Sequence, residues 1–216
     1  DIIGRRAADF SGGEKERPFM ELQRRAFEVL KNTGTKCNAI WFWGDSLAPE
    51  FPKAEAGRCA LGETILMRGI TAAANIPIFP TEEAGRSFEA FLTEKADKAI
   101  AALNGGYERA YVHIQATDDL SHDRNPLGKR AAIEAADALV VRRLMNEVEG
   151  DFRLLVLSDH FTYSDTGSHG GDPVPCLYFD STCPGNNPSA RFTEALCDER
   201  YELTTAKGTV EMMEKK

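Results

Sequence analysis

Asp118 and His122 stand four residues apart in Ala116-Thr117-Asp118-Asp119-Leu120-Ser121-His122. Asp159 and His160 close the apolar run Leu154-Leu155-Val156-Leu157-Ser158, and His169 follows in Gly167-Ser168-His169-Gly170-Gly171. Three of the chain's four histidines thus have an acidic or glycine-rich neighbour. Carboxylate and neutral imidazole are common ligands of zinc-like and manganese-like ions, provided separate segments bring them together. Taken singly, each histidine is better read as a satisfied polar residue near the surface. Taken as a set, they read as a metal centre.

Those side chains need particular elements beneath them. If Asp118 opens a helical turn, His122 lies on the same face and both can reach one ion; Asp119 lacks that spacing. Asp159 and His160 would point to opposite faces of an ideal strand, so their joint use requires the strand to end at about Ser158.

Helical periodicity predicts helices near 19–30, 62–74, 88–103 and 128–148. Apolar runs predict strands at 39–43, 76–79, 110–114, 154–157 and 174–179, followed by the loop Pro184-Gly185-Asn186-Asn187-Pro188. Alternating strands and helices imply an α/β fold, a largely parallel sheet between helix layers. In such sheets sites form beyond the carboxyl ends of strands, where Asp118 with His122 and Asp159 with His160 both fall.

The composition sets outer bounds. With 216 residues, 42% of them hydrophobic, the chain can bury the core of one domain of good size or one and a half small ones. No run is long enough to cross a membrane and no secretory signal opens the chain, so a cytoplasmic location and no membrane partner are expected. A net charge of -8 argues against nucleic acid as a partner, while leaving room for a local basic pocket that takes a phosphorylated substrate. The five cysteines, Cys37, Cys59, Cys176, Cys183 and Cys197, form no C-x-x-C pair and read as separate thiols.

Several of these segments carry a resemblance. Tyr111-Val112-His113-Ile114-Gln115-Ala116-Thr117-Asp118 with His122, Asn125-Pro126-Leu127 with Lys129, Ser158-Asp159-His160, and His169 before Asp172-Pro173-Val174-Pro175 resemble the cofactor-independent phosphoglycerate mutases. The match is to the archaeal-type branch, within the alkaline phosphatase superfamily. Asn38-Ala39-Ile40-Trp41-Phe42-Trp43-Gly44 and Arg68-Gly69-Ile70 extend the likeness over roughly Phe19 to Phe179. The metal motifs belong to the whole superfamily; the tryptophan-glycine run and Asp-Pro-Val-Pro point to the narrower branch.

The resemblance implies an alkaline-phosphatase-like fold and two divalent ions, manganese, zinc or magnesium. It assigns Asp118, His122 and His169 to one ion and Asp159 with His160 to the other. It implies interconversion of 3-phosphoglycerate and 2-phosphoglycerate, a glycolytic isomerase reaction, on a small phosphorylated substrate; a homo-oligomer stays open. The family's N-terminal aspartate and its Ser or Thr nucleophile have no counterpart here. The chain is therefore expected to be the C-terminal portion of a longer enzyme, inactive alone, with 1–37 a lead-in from a preceding or inserted domain and 38–216 part of the metal-binding domain. The same transfer centre opened to water would be a phosphatase, so another enzyme of the superfamily, a phosphomonoesterase or phosphomutase, is the second reading and a non-catalytic metal-binding fragment the third.

Lys53 falls at about the place of a family lysine near the reacting phosphate, and reads equally as a solvated loop lysine. Lys98 and Lys129 also match family lysines, but sit on helices beside acidic neighbours, where a surface ion pair is expected. His113 is expected in the core, bonded to backbone, and Trp41 and Trp43 are expected to pack the sheet.

Overall fold

The computed structural model describes residues 17–40, 42, 50–81, 85–183, 185, 192–194 and 204–214. The chain divides into two units, Asp1–Glu50 and Phe51–Lys216. In the first, helix α1 (Arg17–Leu30) is followed by a non-helical return in which the Ile40 carbonyl accepts from Gln23 Nε2 at 3.1 Å. Phe42 packs on Phe19 with ring centroids 5.3 Å apart. Ala39 and Ile40 lie in no strand, so the strand expected at 39–43 is not formed at its start; Trp41, Trp43 and Gly44 lie outside the described residues.

The second unit runs β1 (Arg58–Leu61), α2 (Ile65–Ala73), β2 (Ile78–Phe79), α3 (Phe88–Asn104), β3 (Arg109–Val112), α4 (Ala116–His122) and α5 (Pro126–Ala136). A π-helical segment (Asp137–Val141), α6 (Arg142–Glu147), β4 (Arg153–Leu157), β5 (Phe161–Tyr163), β6 (Ser168–Gly170), β7 (Cys176–Asp180) and α7 (Ala206–Glu214) follow. Strands β2-β1-β3 form a parallel sheet in that order, with Ala60 opposite Ile78 and Tyr111. The expected parallel pairing is confined to these three strands among the described residues, because β4 pairs β7 antiparallel and β5 pairs β6 as a hairpin.

The helix starts follow local chemistry. Thr64 and Ser87 each accept a backbone N–H of the first turn at 3.2 Å, from Met67 and Ala90, and Asn125 Oδ1 accepts Gly128 N–H at 2.9 Å ahead of Pro126. Each cap satisfies an N–H that has no partner within its helix, stabilising by about 1 kcal/mol. The helix expected near 128–148 extends from Pro126 to Glu147, with its π-helical turn carrying Val140 into the core.

Leu61 of β1, Leu92, Ala96, Ala99 and Ile100 of α3, Val140 and Leu144 form that core. Leu61 and Leu92 are wholly buried, each contributing about 2 kcal/mol. Packing α3 on the sheet fixes where the strands' carboxyl ends open. Lys95, also wholly buried on α3, reinforces that edge: its amine pairs with Glu63 at 2.6 Å, just beyond β1, and donates to the His113 carbonyl just beyond β3.

Candidate metal centre

Beyond β3 the chain continues from its carboxyl end into α4, with His113 N–H donating to Leu61 O at 2.9 Å before the strand edge is left behind. Asp118 lies in the first turn of α4 and His122 in its last, so one helix face presents both. Gln115 Nε2 donates to Asp118 Oδ2 at 3.0 Å and to Asp119 Oδ1 at 3.1 Å, which holds the Asp118 carboxylate with its other oxygen turned elsewhere.

That other oxygen meets the β5-β6 hairpin. Thr162 of β5 stands opposite His169 of β6, so their side chains share a face, and His160, two residues earlier, is brought to the same side. Asp118 Oδ1 accepts the Thr162 hydroxyl at 2.7 Å and lies 3.4 Å from His122 Nε2 and 3.6 Å from His169 Nε2. The two Nε2 atoms are 3.1 Å apart, and the His160 ring stacks on His169 with centroids 3.9 Å apart. Among the described residues, Asp118, His122 and His169 form a group whose donor atoms all lie within 4.8 Å of one another.

These separations can be compared with an ion's requirements. Ligands bonded at about 2.0–2.1 Å in a tetrahedron are about 3.4 Å from one another, the range of the three separations above. His122 Nδ1 contacts Gly167 O at 2.8 Å. A carbonyl only accepts, so the proton of the neutral ring is on Nδ1 and the Nε2 lone pair faces the group, as in a metal-ligating histidine oriented by a backbone acceptor. The residues present therefore fit a divalent ion.

The other expected residues are placed as follows. Asp159 is 84% exposed, its Oδ1 accepting His160 N–H at 3.1 Å and its Oδ2 3.5 Å from His160 Nε2, so the pair lies beside the triad through the His160–His169 stack. Lys53 donates to Ala73 O at 2.9 Å, at the carboxyl end of α2. Lys53 precedes β1 and Ala73 precedes β2, so this contact lies at the amino-terminal strand edge, opposite the edge from which the chain enters α4, and the structure does not bring Lys53 to the histidines. Lys98 pairs with Glu94 at 2.6 Å, as expected on a helix surface. Lys129 forms no ion pair among the described residues, contrary to the expectation: its amine donates to Thr162 O of β5 at 2.9 Å. His113 is bonded through its backbone, whereas its buried Nδ1 has no hydrogen-bond partner among the described residues. Burial pushes the Cys59 and Cys176 thiols up, away from the thiolate form that metals take.

Thr162, Gln115 and Gly167 were not singled out by sequence reasoning. Thr162 had one available signal, its two-residue offset from His160 along an extended segment. Gln115 and Gly167 act through contacts that only the folded chain creates.

Residues 53–210 match the family model of the metalloenzyme superfamily. The chain belongs to that superfamily. A probable 2,3-bisphosphoglycerate-independent phosphoglycerate mutase of Geobacter sulfurreducens is 31% identical over 171 residues, covering 76% of this chain and 43% of that protein. A 2,3-bisphosphoglycerate-independent phosphoglycerate mutase of Methanosarcina acetivorans is 28% identical over 193 residues, 81% of this chain and 48% of its own length. A solved protein structure from Pyrococcus horikoshii superposes with a TM-score of 0.63 at 24% identity, covering 76% of this chain and 47% of that one. The chain thus spans about half the length of the relatives it matches. Superfamily membership and this structural neighbour agree with the alkaline-phosphatase-like α/β fold expected from the sequence.

Proposed function

We propose that this chain supplies metal ligands to a phosphoryl-transfer centre that interconverts 3-phosphoglycerate and 2-phosphoglycerate. The observation that carries the reading is the convergence of Asp118, His122 and His169 from α4 and the β5-β6 hairpin, with His160 stacked against it. The mutase names of the relatives support the substrate, and membership of the metalloenzyme superfamily supports the use of metal.

In this reading Asp118, His122 and His169 hold one divalent ion, manganese or zinc, and Asp159 with His160 contribute to holding a second. When bound, such ions polarise phosphoryl oxygens and stabilise the departing alkoxide. The chain's own residues orient these ligands: Gln115 and Thr162 fix the Asp118 carboxylate, and Gly167 O fixes the His122 ring. Lys53 is left out of this reading because its amine is held at Ala73.

Three hydroxyls beside the triad residues in sequence or strand pairing are already engaged. Ser121 is wholly buried and donates to Thr117 O at 2.7 Å, Ser168 bonds Thr166 at 2.8 Å, and Thr162 is committed to Asp118. In this reading the nucleophile that accepts the phosphoryl group comes from outside these three hydroxyls, and the isolated chain is expected to show no mutase turnover.

The test is to supply 3-phosphoglycerate and manganese to the complete protein that contains this sequence. Formation of 2-phosphoglycerate that stops on chelation and in Asp118→Asn supports the reading. Release of inorganic phosphate in its place would make the centre a phosphomonoesterase, and product formation indifferent to chelator would remove the metal from the reaction.

A further inference from the structure

Thr162 is only 5% exposed, yet its hydroxyl touches two candidate ligands that belong to different ions in the proposed centre. Oγ1 donates to Asp118 Oδ1 at 2.7 Å and stands 3.1 Å from His160 Nδ1. A hydroxyl has one proton, and the carboxylate, which can only accept, takes it. The contact with His160 must then run the other way, with Nδ1–H donating to Thr162 Oγ1. A second acceptor agrees: Phe161 O lies 3.3 Å from the same Nδ1. With its proton on Nδ1, a neutral His160 has a bare lone pair on Nε2, the atom that faces Asp159 Oδ2 at 3.5 Å.

We infer that Thr162 is a positioning residue that joins the two ligand groups, aiming Asp118 and setting the His160 tautomer in which Nε2 is free to bind metal. This rests on the ligand reading above and adds to it a residue that touches neither ion nor substrate. The hydroxyl is held in place from three directions. Lys129 Nζ grips the Thr162 carbonyl at 2.9 Å, strand pairing sets Thr162 opposite His169, and the branched side chain restricts χ1. Hydrogen-bond partners of metal ligands act in this way elsewhere, and their loss lowers metal affinity about 10–100-fold.

Two measurements on the whole chain test the inference. In metal-free wild type above neutral pH, imidazole nitrogen NMR shifts report the tautomer, and the expected result is protonated Nδ1 and bare Nε2 on His160. A His160 carrying its proton on Nε2 overturns the inference without any variant being made. Calorimetric titration with zinc then compares wild type, Thr162→Ser and Thr162→Val. Serine keeps the hydroxyl and is expected to bind within about threefold of wild type, whereas valine keeps the shape, removes the hydroxyl and is expected to bind about 10–100-fold more weakly. Equal affinity in valine and wild type overturns the inference. Should the valine variant not fold, the tautomer and the serine titration decide, a serine loss as large as about 10-fold counting against the hydroxyl as the cause. Absence of any zinc binding by wild type would instead defeat the ligand reading, leaving the tautomer to decide the role of Thr162.

Discussion

His122 Nε2 lies 3.1 Å from His169 Nε2 across 47 residues of chain, with Asp118 Oδ1 within 3.6 Å of both. Gly167 O already takes the Nδ1 proton of His122, so the Nε2 lone pair of that ring faces the Asp118 carboxylate and the His169 ring, an arrangement that a divalent cation stabilises. Zinc or manganese is therefore expected to bind the chain at one tight position. At a free metal concentration 100 times the Kd, binding stabilises the fold by about 2.7 kcal/mol, raising Tm by about 5–10 °C for a domain of this size. A thermal scan of wild type beside a His122→Ala, His169→Ala double variant checks this. An equal shift in both would place the ion elsewhere.

The hairpin that carries His169 turns at Gly167, whose φ is +69° and whose added Cβ would stand 2.9 Å from His122 O. Gly167→Ala is expected to cost about 1–2 kcal/mol from the left-handed backbone, with a further cost from the contact, and to weaken metal binding because the displaced turn carries Gly167 O, which orients the His122 ring. Gly150, at φ +75° with no neighbour within 4 Å, isolates the backbone part. Denaturant unfolding and zinc titration of both alanine variants are the check: Gly150→Ala is expected to lose stability alone. Loss of metal affinity in Gly150→Ala as large as in Gly167→Ala would sever the link between the turn and the site.

Periodicity made α3, the 126–147 helical run and the β4 segment readable, because each has an apolar pattern long or continuous enough to stand out. The central parallel strand β1 was hidden: Arg58-Cys59-Ala60-Leu61 is four residues long, opens on a charge and contains no β-branched residue, and only its position between β2 and β3 buries it. Spacing brought out Asp118 with His122, a relation within one helix. The Thr162 and Gly167 contacts could not be read in the same way, since they depend on how the β5-β6 hairpin docks against α4. Asp180 had no motif around it, yet it ties β4 to β7 through Arg153 at 2.9 Å.

Asp180 also gives a dependence on pH. The Thr182 hydroxyl, then the Arg153 guanidinium, hold its carboxyl well below the usual carboxylate range. A depressed folded-state value means that the contribution to stability is fully present above the unfolded value of about 3.9 and is lost as pH falls through the lower folded value. Asp180→Asn is therefore expected to be less stable than wild type by a constant margin between pH 7 and pH 5, with the margin shrinking below about pH 4. Urea unfolding at pH 7, 5 and 3 measures it. A margin that grows on acidification would contradict the assignment.

The engaged hydroxyls of Ser121, Thr162 and Ser168 set an expectation for the isolated chain. Purified protein of this sequence, loaded with manganese, is expected to show no conversion of 3-phosphoglycerate above background, while still binding metal. Robust turnover would mean that a hydroxyl of this chain acts as nucleophile, and substituting Ser121, Thr162 and Ser168 in turn by alanine would show whether one of these leaves its present partner to do so.

Asp159 and His160 complete the proposed ligand set, and the weight of the second ion falls on them. Asp159 is 84% exposed and, among the described residues, contacts the N–H and ring of His160, so its charge has little to do in holding the fold. Asp159→Asn keeps the size and most hydrogen bonding but removes the charge that would help hold the ion against the reacting phosphoryl group. In the complete enzyme this change is expected to lower kcat by at least about a hundredfold, the scale seen when a directly acting electrostatic group is lost. Asp151, exposed just before β4, provides the comparison, and Asp151→Asn is expected to stay near the parent. With saturating metal and matched Tm, equal kcat values in the two variants would mean that Asp159 is a surface carboxylate and that His160 serves the first ion's surroundings alone.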